Sequence, residues 1–332
     1  MRNRTVDIAR GALIFYIVTI IHGVFWLNLL SLPFNSLLLF EMPLIFMVSG
    51  YAYALFEQNK DFVLTAKSYA FFVASRGTRI LLPFFVYALI SALWVIQQTG
   101  SESAIATLMA WLNPITYGRG HSLEMLNWHL WFIWPFLLVT LLFPLFIKLY
   151  PPRIPLWVTT IGLGLLLIVL PLLQRPTRQW QTAVFYLFWF YVGYKLANGL
   201  VLKRQTYLIL AVGGTAVLLL AGFLLPVTLD MQANKFPPNS LFLLFSVVWV
   251  ALFFLFFTYI NPRKFDFLAS SHWFKPFITS GYSIYLWQGV GYTAAVRLIA
   301  GQGVSIYLTW ILAILLTAVL GILFSPLERI RL

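Results

Sequence analysis

An all-α, polytopic integral membrane protein with about ten transmembrane helices is the fold class that three features of this sequence predict. Of its 332 residues 61% are hydrophobic and only 9% are charged, far less charge than a soluble domain carries. Apolar runs of about 20 residues, the length that crosses a hydrocarbon core as a helix, recur from end to end. The segments between them are mostly short, with no repeat of obvious period and no low-complexity linker. A single membrane domain over residues 1–332 is therefore expected.

The first run, 8–30, follows Arg2, Arg4 and Arg10. A basic start before an apolar stretch is the layout of a signal peptide. This stretch is too long and has no small-x-small cleavage site, so it reads as an uncleaved first span. The remaining runs are 36–56, 77–97, 127–149, 154–173, 181–200, 206–228, 240–260, 277–299 and 304–326. Pro43, Pro83, Pro135 and Pro144 are expected to kink these helices and open a cavity, because a proline inside a helix removes a backbone hydrogen bond. The longest outer loop is 98–125. Asp230 to Asn239, with Lys235-Phe236-Pro237-Pro238, reads as a second outer loop, stiff because each proline fixes φ.

Lys and Arg orient the chain. With both termini inside, Arg119, Arg175, Arg178, Lys235 and Arg297 fall outside and the other 17 of the 22 basic residues fall inside. That bias predicts a multi-pass cell-membrane protein with cytoplasmic termini. It also accounts for the net charge of +13 without nucleic acid, since such residues are topogenic and attracted to anionic lipid. The chain has no cysteine, which excludes disulfides and a thiol nucleophile. The four histidines and nine acids show no metal-ligand spacing.

Ionisable groups within the apolar runs are functional-site candidates. His22 lies toward the outer end of the first run and Arg10 near the inner end, roughly 18 Å away along the helix axis at the usual rise. Asp7, at i,i+3 from Arg10, reads as a helix-end acid paired with it. Glu41 lies at a compatible depth in the second run, where it could orient the His22 ring or face an outer vestibule. Arg76 and Arg79, spaced i,i+3, share a helix face at the cytoplasmic mouth, suited to phosphate oxygens or to plain anchoring. Trp128, His129 and Trp131 open the fourth span as an interfacial belt or a sugar-packing surface. Ser283, Tyr285 and Gln288 lie partway along the ninth, where polar side chains bridge helices or touch substrate.

Five segments then carry a resemblance. They are Val6-Asp7-Ile8-Ala9-Arg10-Gly11 running to His22-Gly23; Glu41-Met42-Pro43 running to Ser49-Gly50-Tyr51; Arg76-Gly77-Thr78-Arg79 running to Pro83; His129-Leu130-Trp131-Phe132; and Gly281-Tyr282-Ser283-Ile284-Tyr285-Leu286-Trp287-Gln288. In this order they resemble the membrane-bound acyltransferase-3 family. The resemblance implies an O-acyltransferase moving an acyl group, acetyl as a rule, from cytoplasmic acyl-CoA to a hydroxyl of a glycan or similar acceptor, as in polysaccharide O-acetylation. It implies His22 as general base and Arg10, Arg76 and Arg79 on the acyl-CoA donor; the residues themselves suggest Glu41 as an acidic partner of His22, and His129, Trp131, Tyr285 and Gln288 toward the acceptor. A secondary transporter or flippase is the competing class, since transporters also bury ionisable groups and break helices.

Two positions depart from the family pattern. Eleven residues separate Arg10 from His22, one more than is usual. In a regular α-helix the extra residue turns His22 by about 100° relative to Arg10, unless a π-bulge absorbs it. Glu41 stands where a histidine often precedes Met-Pro.

Overall fold

The computed structural model describes residues 3–31, 34–100, 104–115, 124–150, 154–169, 178–299 and 302–330. Part of the 98–125 loop, with Arg119, and also Arg175, lie outside the described residues. The described residues form helices and turns, with no strand among them.

The helices are α1 Arg4–Tyr16, α2 His22–Trp26, α3 Glu41–Lys60, α4 Ala66–Thr99, α5 Ala104–Leu112, α6 Glu124–Asn127, α7 Ile133–Leu149 and α8 Leu156–Val169. They continue as α9 Arg178–Ala197, α10 Arg204–Leu224, α11 Met231–Lys235, α12 Ser240–Tyr259, α13 Asp266–Ser270, α14 Lys275–Thr279, α15 Gly281–Ile299 and α16 Ile306–Phe324. Among the described residues seven helical segments are long and apolar enough to cross a membrane: Arg4–Trp26, Phe34–Lys60, Ala66–Thr99, Met125–Leu149, Arg204–Leu224, Ser240–Tyr259 and Ile306–Arg329. Each coincides with a run picked out in the sequence. The other three expected spans correspond to α8, whose described part is short, and to α9 and α15. These last two have 20 and 19 residues but less apolar composition.

The third span starts eleven positions earlier than its apolar run. Thr65 and Ser68 form a capping box: Ser68 N–H donates to Thr65 Oγ1 at 3.2 Å, and Thr65 N–H donates to Ser68 Oγ at 2.8 Å. Two otherwise orphaned donors are satisfied at once, so the helix nucleates before the hydrophobic run begins. The result has 34 residues, about 51 Å, well beyond a hydrocarbon core of about 30 Å.

Contacts divide the chain into two compact units. One contains Met1–Ala9, Leu30–Leu64 and Leu142–Ser270. Its centre is the crossing of α3 and α9. A side chain at Gly50 would strike the Phe190 carbonyl, and one at Gly193 would strike the Met47 carbonyl. The two glycines thus let the backbones approach reciprocally, as small residues do between membrane helices. Phe46 stacks on Tyr186 beside them, 4.4 Å between ring centroids. In the same unit α10 leaves most of its surface open: Leu208, Ile209, Val212, Leu219 and Phe223 are all exposed. Such a face suits lipid.

The other unit contains Arg10–Leu29, Thr65–Leu141 and Ser271–Leu332. Here α15 is the axis, with 13 of its 19 residues buried. It packs on α16 through Gly291 against Thr317 and Gly321 against Ile284. A helix enclosed this way meets protein rather than lipid, so it tolerates Ser283, Tyr285, Gln288 and Tyr292.

Candidate active site

The register of His22 is set within the first helix. Between α1 and α2, Ile17–Ile21 form a π-helical turn, closed by the His22 N–H donating to the Ile17 carbonyl. A π turn takes in one residue more than an α turn, so it absorbs the extra residue between Arg10 and His22 and restores their facing. Two carbonyls of this turn accept side-chain hydrogen bonds: Val18 O from Tyr292 OH at 2.7 Å, and Thr19 O from Trp310 Nε1 at 2.8 Å. The π turn is thereby tied to α15 and α16.

His22 is 7% exposed and stacks on Trp26, with ring centroids 4.2 Å apart and planes 17° from parallel. Trp26 lies one helical turn on, at i+4, so the stack is local to the helix. His22 Nδ1 is 2.6 Å from Gln288 Oε1. With the proton on Nδ1, the amide oxygen accepts it and Nε2 presents a lone pair; the opposite tautomer would require the amide to be turned over. Gln288 is fully buried on α15.

His129 lies 6.2 Å from His22 and 5.5 Å from Tyr285, ring centroid to ring centroid. Its Nε2 donates to the Leu286 carbonyl at 3.0 Å, and Tyr285 OH donates to the His129 carbonyl at 2.5 Å. These bonds hold the 3₁₀ turn Trp128–Phe132 against α15. Gly289 makes room there, since a side chain would strike Tyr87 OH, the Met125 carbonyl and the His129 ring. His22, His129, Tyr285 and Gln288, dispersed in sequence, thus form one cluster with Trp26. Trp131 sits half-buried on the same 3₁₀ turn.

A cationic group lies elsewhere in this unit. Arg79 Nε donates to the Glu328 backbone carbonyl at 3.3 Å, and both Arg79 and Arg10 act electrostatically on the Glu328 carboxylate. Arg76 lies one turn before Arg79 on α4, its guanidinium 5.8 Å from the Phe72 ring centroid. The start of α4 at Ala66 puts both arginines well inside a helix rather than at its opening turn.

Glu41 belongs to the other unit, where it pairs with Lys235. Its Oε1 is 2.6 Å from Lys235 Nζ, and both side chains are 3% exposed. Glu41 Oε2 is buried and has no hydrogen bond among the described residues. Lys235, read above as an outer-loop charge, ends α11 and turns inward. The segment is fastened from both sides. Asp230 Oδ1 accepts from Gln232 N–H at 2.9 Å, Asn234 Nδ2 donates to Thr228 O at 2.8 Å, and Gln181 Nε2 donates to Pro238 O at 2.8 Å. These side-chain bonds fold the loop onto its own unit.

Trp26 and Glu328 escaped the sequence reading, and Lys235 was read only as a loop charge. Trp26 was legible as i+4 to His22; nothing local singled out the other two. Among the described residues no group of three or more His, Cys, Asp or Glu could hold a metal ion. Comparison with curated proteins and with solved structures found no significant match. A family model described as an acyltransferase domain matches residues 3–327, nearly the whole chain. With seven helices fit to span a bilayer, the chain belongs to the acyltransferase-3 family and is a multi-pass membrane acyltransferase.

Proposed function

We propose that this acyltransferase moves an acyl group, acetyl in the simplest case, from acyl-CoA to a hydroxyl of a glycan or related acceptor, with His22 as general base. The observation that carries this reading is the 2.6 Å contact from His22 Nδ1 to Gln288 Oε1. In this reading the ring's proton sits on Nδ1, held by Gln288, and Nε2 is the base. Gln288 thereby takes the ring-orienting role that the sequence suggested for Glu41, and the Glu41–Lys235 pair becomes a structural element of its own unit.

In the reaction, Nε2 takes the acceptor hydroxyl's proton as its oxygen attacks the thioester carbonyl carbon. The tetrahedral intermediate collapses, the C–S bond breaks, and the imidazolium returns the proton to the departing CoA sulfur. Arg10, Arg76 and Arg79 hold the donor's phosphates through charge-assisted bonds. The half-buried rings of Trp26 and Trp131 take the apolar C–H faces of a sugar, while buried His129 and Tyr285 hold the 3₁₀ turn that carries Trp131. Because acyl-CoA is cytoplasmic, this reading sets the three arginines and both termini toward the cytoplasm, in line with the charge bias.

The test is transfer by purified protein from labelled acetyl-CoA to candidate glycans. His22→Gln should lose about 10²–10⁴-fold in rate, the usual contribution of a positioned base, while still binding donor. The Arg76→Ala, Arg79→Ala double variant should bind donor more weakly by about 1–3 kcal/mol per lost contact. A fully active His22→Gln protein would move the proton chemistry to another residue.

A further inference from the structure

The carboxylate of Glu328 sits where three elements of one unit meet. At the first turn of α15, Ser283 N–H donates to Glu328 Oε1 at 2.6 Å. The adjacent Tyr282 OH donates to the Ile80 carbonyl at 2.8 Å, which sets the start of α15 against α4 beside Arg79. On the α1 side, Gly11 packs against Ile278 and Gly281 against Ile14, which brings Arg10 to the same place. The Ser283 hydroxyl is fully buried beside the carboxylate and acts on it, though no well-formed hydrogen bond holds it among the described residues.

The N-terminus of a long helix carries partial positive charge and unpaired N–H groups, and it binds anions readily. Here a helix of 19 residues is joined by two guanidiniums and a buried hydroxyl aimed at the same carboxylate. Such a set suits an anion with several oxygens, and its present occupant is the chain's own singly charged carboxylate.

We propose that Glu328 is an internal stand-in for a phosphate, and that a phosphate group of the acyl-CoA donor displaces it from a site made by the α15 N-terminus, Arg10 and Arg79. The proposal deepens the donor reading above and rests on it. Displacement is favoured because a phosphate offers three acceptor oxygens and more charge to guanidinium forks than a carboxylate does. It is feasible because Glu328 is only half-buried on the short 3₁₀ turn Ser325–Arg329, and Arg10 is exposed. Ser283 lies five residues before Gln288 on α15, about 7.5 Å along its axis. The same helix thus carries the anion site and the amide that orients His22.

The test uses the full chain in detergent micelles, with binding of inorganic pyrophosphate and of acetyl-CoA measured by calorimetry at low ionic strength. Glu328→Gln keeps an oxygen for Ser283 N–H but loses the charge. It should bind both ligands roughly five- to tenfold tighter, the effect of removing one partly screened like charge. Unchanged or weaker pyrophosphate binding overturns the proposal, because the carboxylate would then be only a scaffold for the arginines. If pyrophosphate binding tightens while neither protein binds acetyl-CoA, the anion site stands and the donor reading falls. Should Glu328→Gln fail to fold, Glu328→Asp replaces it. That side chain keeps the charge but falls short of Ser283 N–H, so it should also bind pyrophosphate more tightly, and an unchanged affinity overturns the proposal.

Discussion

Glu41 and Lys235 share one short bond in a region nearly closed to solvent. Burying two charges is costly, and their attraction offsets the cost only while both are present. Lys235→Met therefore leaves a buried, unpaired carboxylate and should destabilise the protein by about 3–5 kcal/mol, whereas removing both charges together costs much less. Thermal unfolding in detergent should rank wild type and the Glu41→Gln, Lys235→Met double variant above Lys235→Met. A double variant no better than the single would refute the pairing argument. Gln288 poses the complementary question, since its bond to His22 is about tautomer rather than charge. Gln288→Leu should lower kcat by about 10²-fold or more, as losing control of the ring's tautomer does. The KM for acetyl-CoA should stay near its original value, and a change in KM alone would make Gln288 a binding residue. His22 was legible in the sequence because an ionisable group in an apolar run stands out. The role of Gln288 was not, because the two residues are 266 positions apart and meet only through helix packing.

The π turn at Ile17–Ile21 is the element on which the His22 register depends. The sequence announced it as one residue too many, and the structure places the extra residue within the turn just before His22. Deleting Thr19 should convert the π turn to a regular α turn while keeping Arg10 and His22 on their present faces. That variant should express and retain measurable transfer, weakened by loss of the carbonyl that Trp310 binds. Inserting one alanine after Tyr16 should instead swing His22 by about 100° and abolish transfer. Equal activity in the two variants would show that register is not set here. The crossing of α3 and α9 is equally strict, since Gly50 faces the Phe190 carbonyl directly. Gly50→Val should force these helices apart and lower the unfolding temperature, with little effect from the same change at Gly77, where a side chain meets open space. Apolar length located the spans well but not all their ends. The early start of α4 was hidden because its signal, Thr65 with Ser68, is a polar cap outside the hydrophobic run.

For the molecule as a whole, the charge bias predicts that reporter fusions after Arg331 and near Lys60 read cytoplasmic, and that fusions near Glu102 and Asn234 read external. An external C-terminal reporter would reverse the donor side along with the topology. The helices that hydropathy marks least clearly, α9 and α15, are among the most enclosed, so the polar and aromatic residues that suit them to the interior also blur their signal. The same composition bears on how the protein is made. A segment holding Ser283, Gln288, Thr293 and Arg297 partitions poorly from the translocon into lipid by itself, because each such residue raises its insertion free energy. Its close fit to α16, glycine against helix at two levels, supplies the missing apolar environment. During synthesis α15 should therefore wait at the translocon until α16 follows, and the two should enter the bilayer as a pair. Gln288 would then reach His22 only when that pair is in place, making assembly of the proposed catalytic centre a late event in biogenesis.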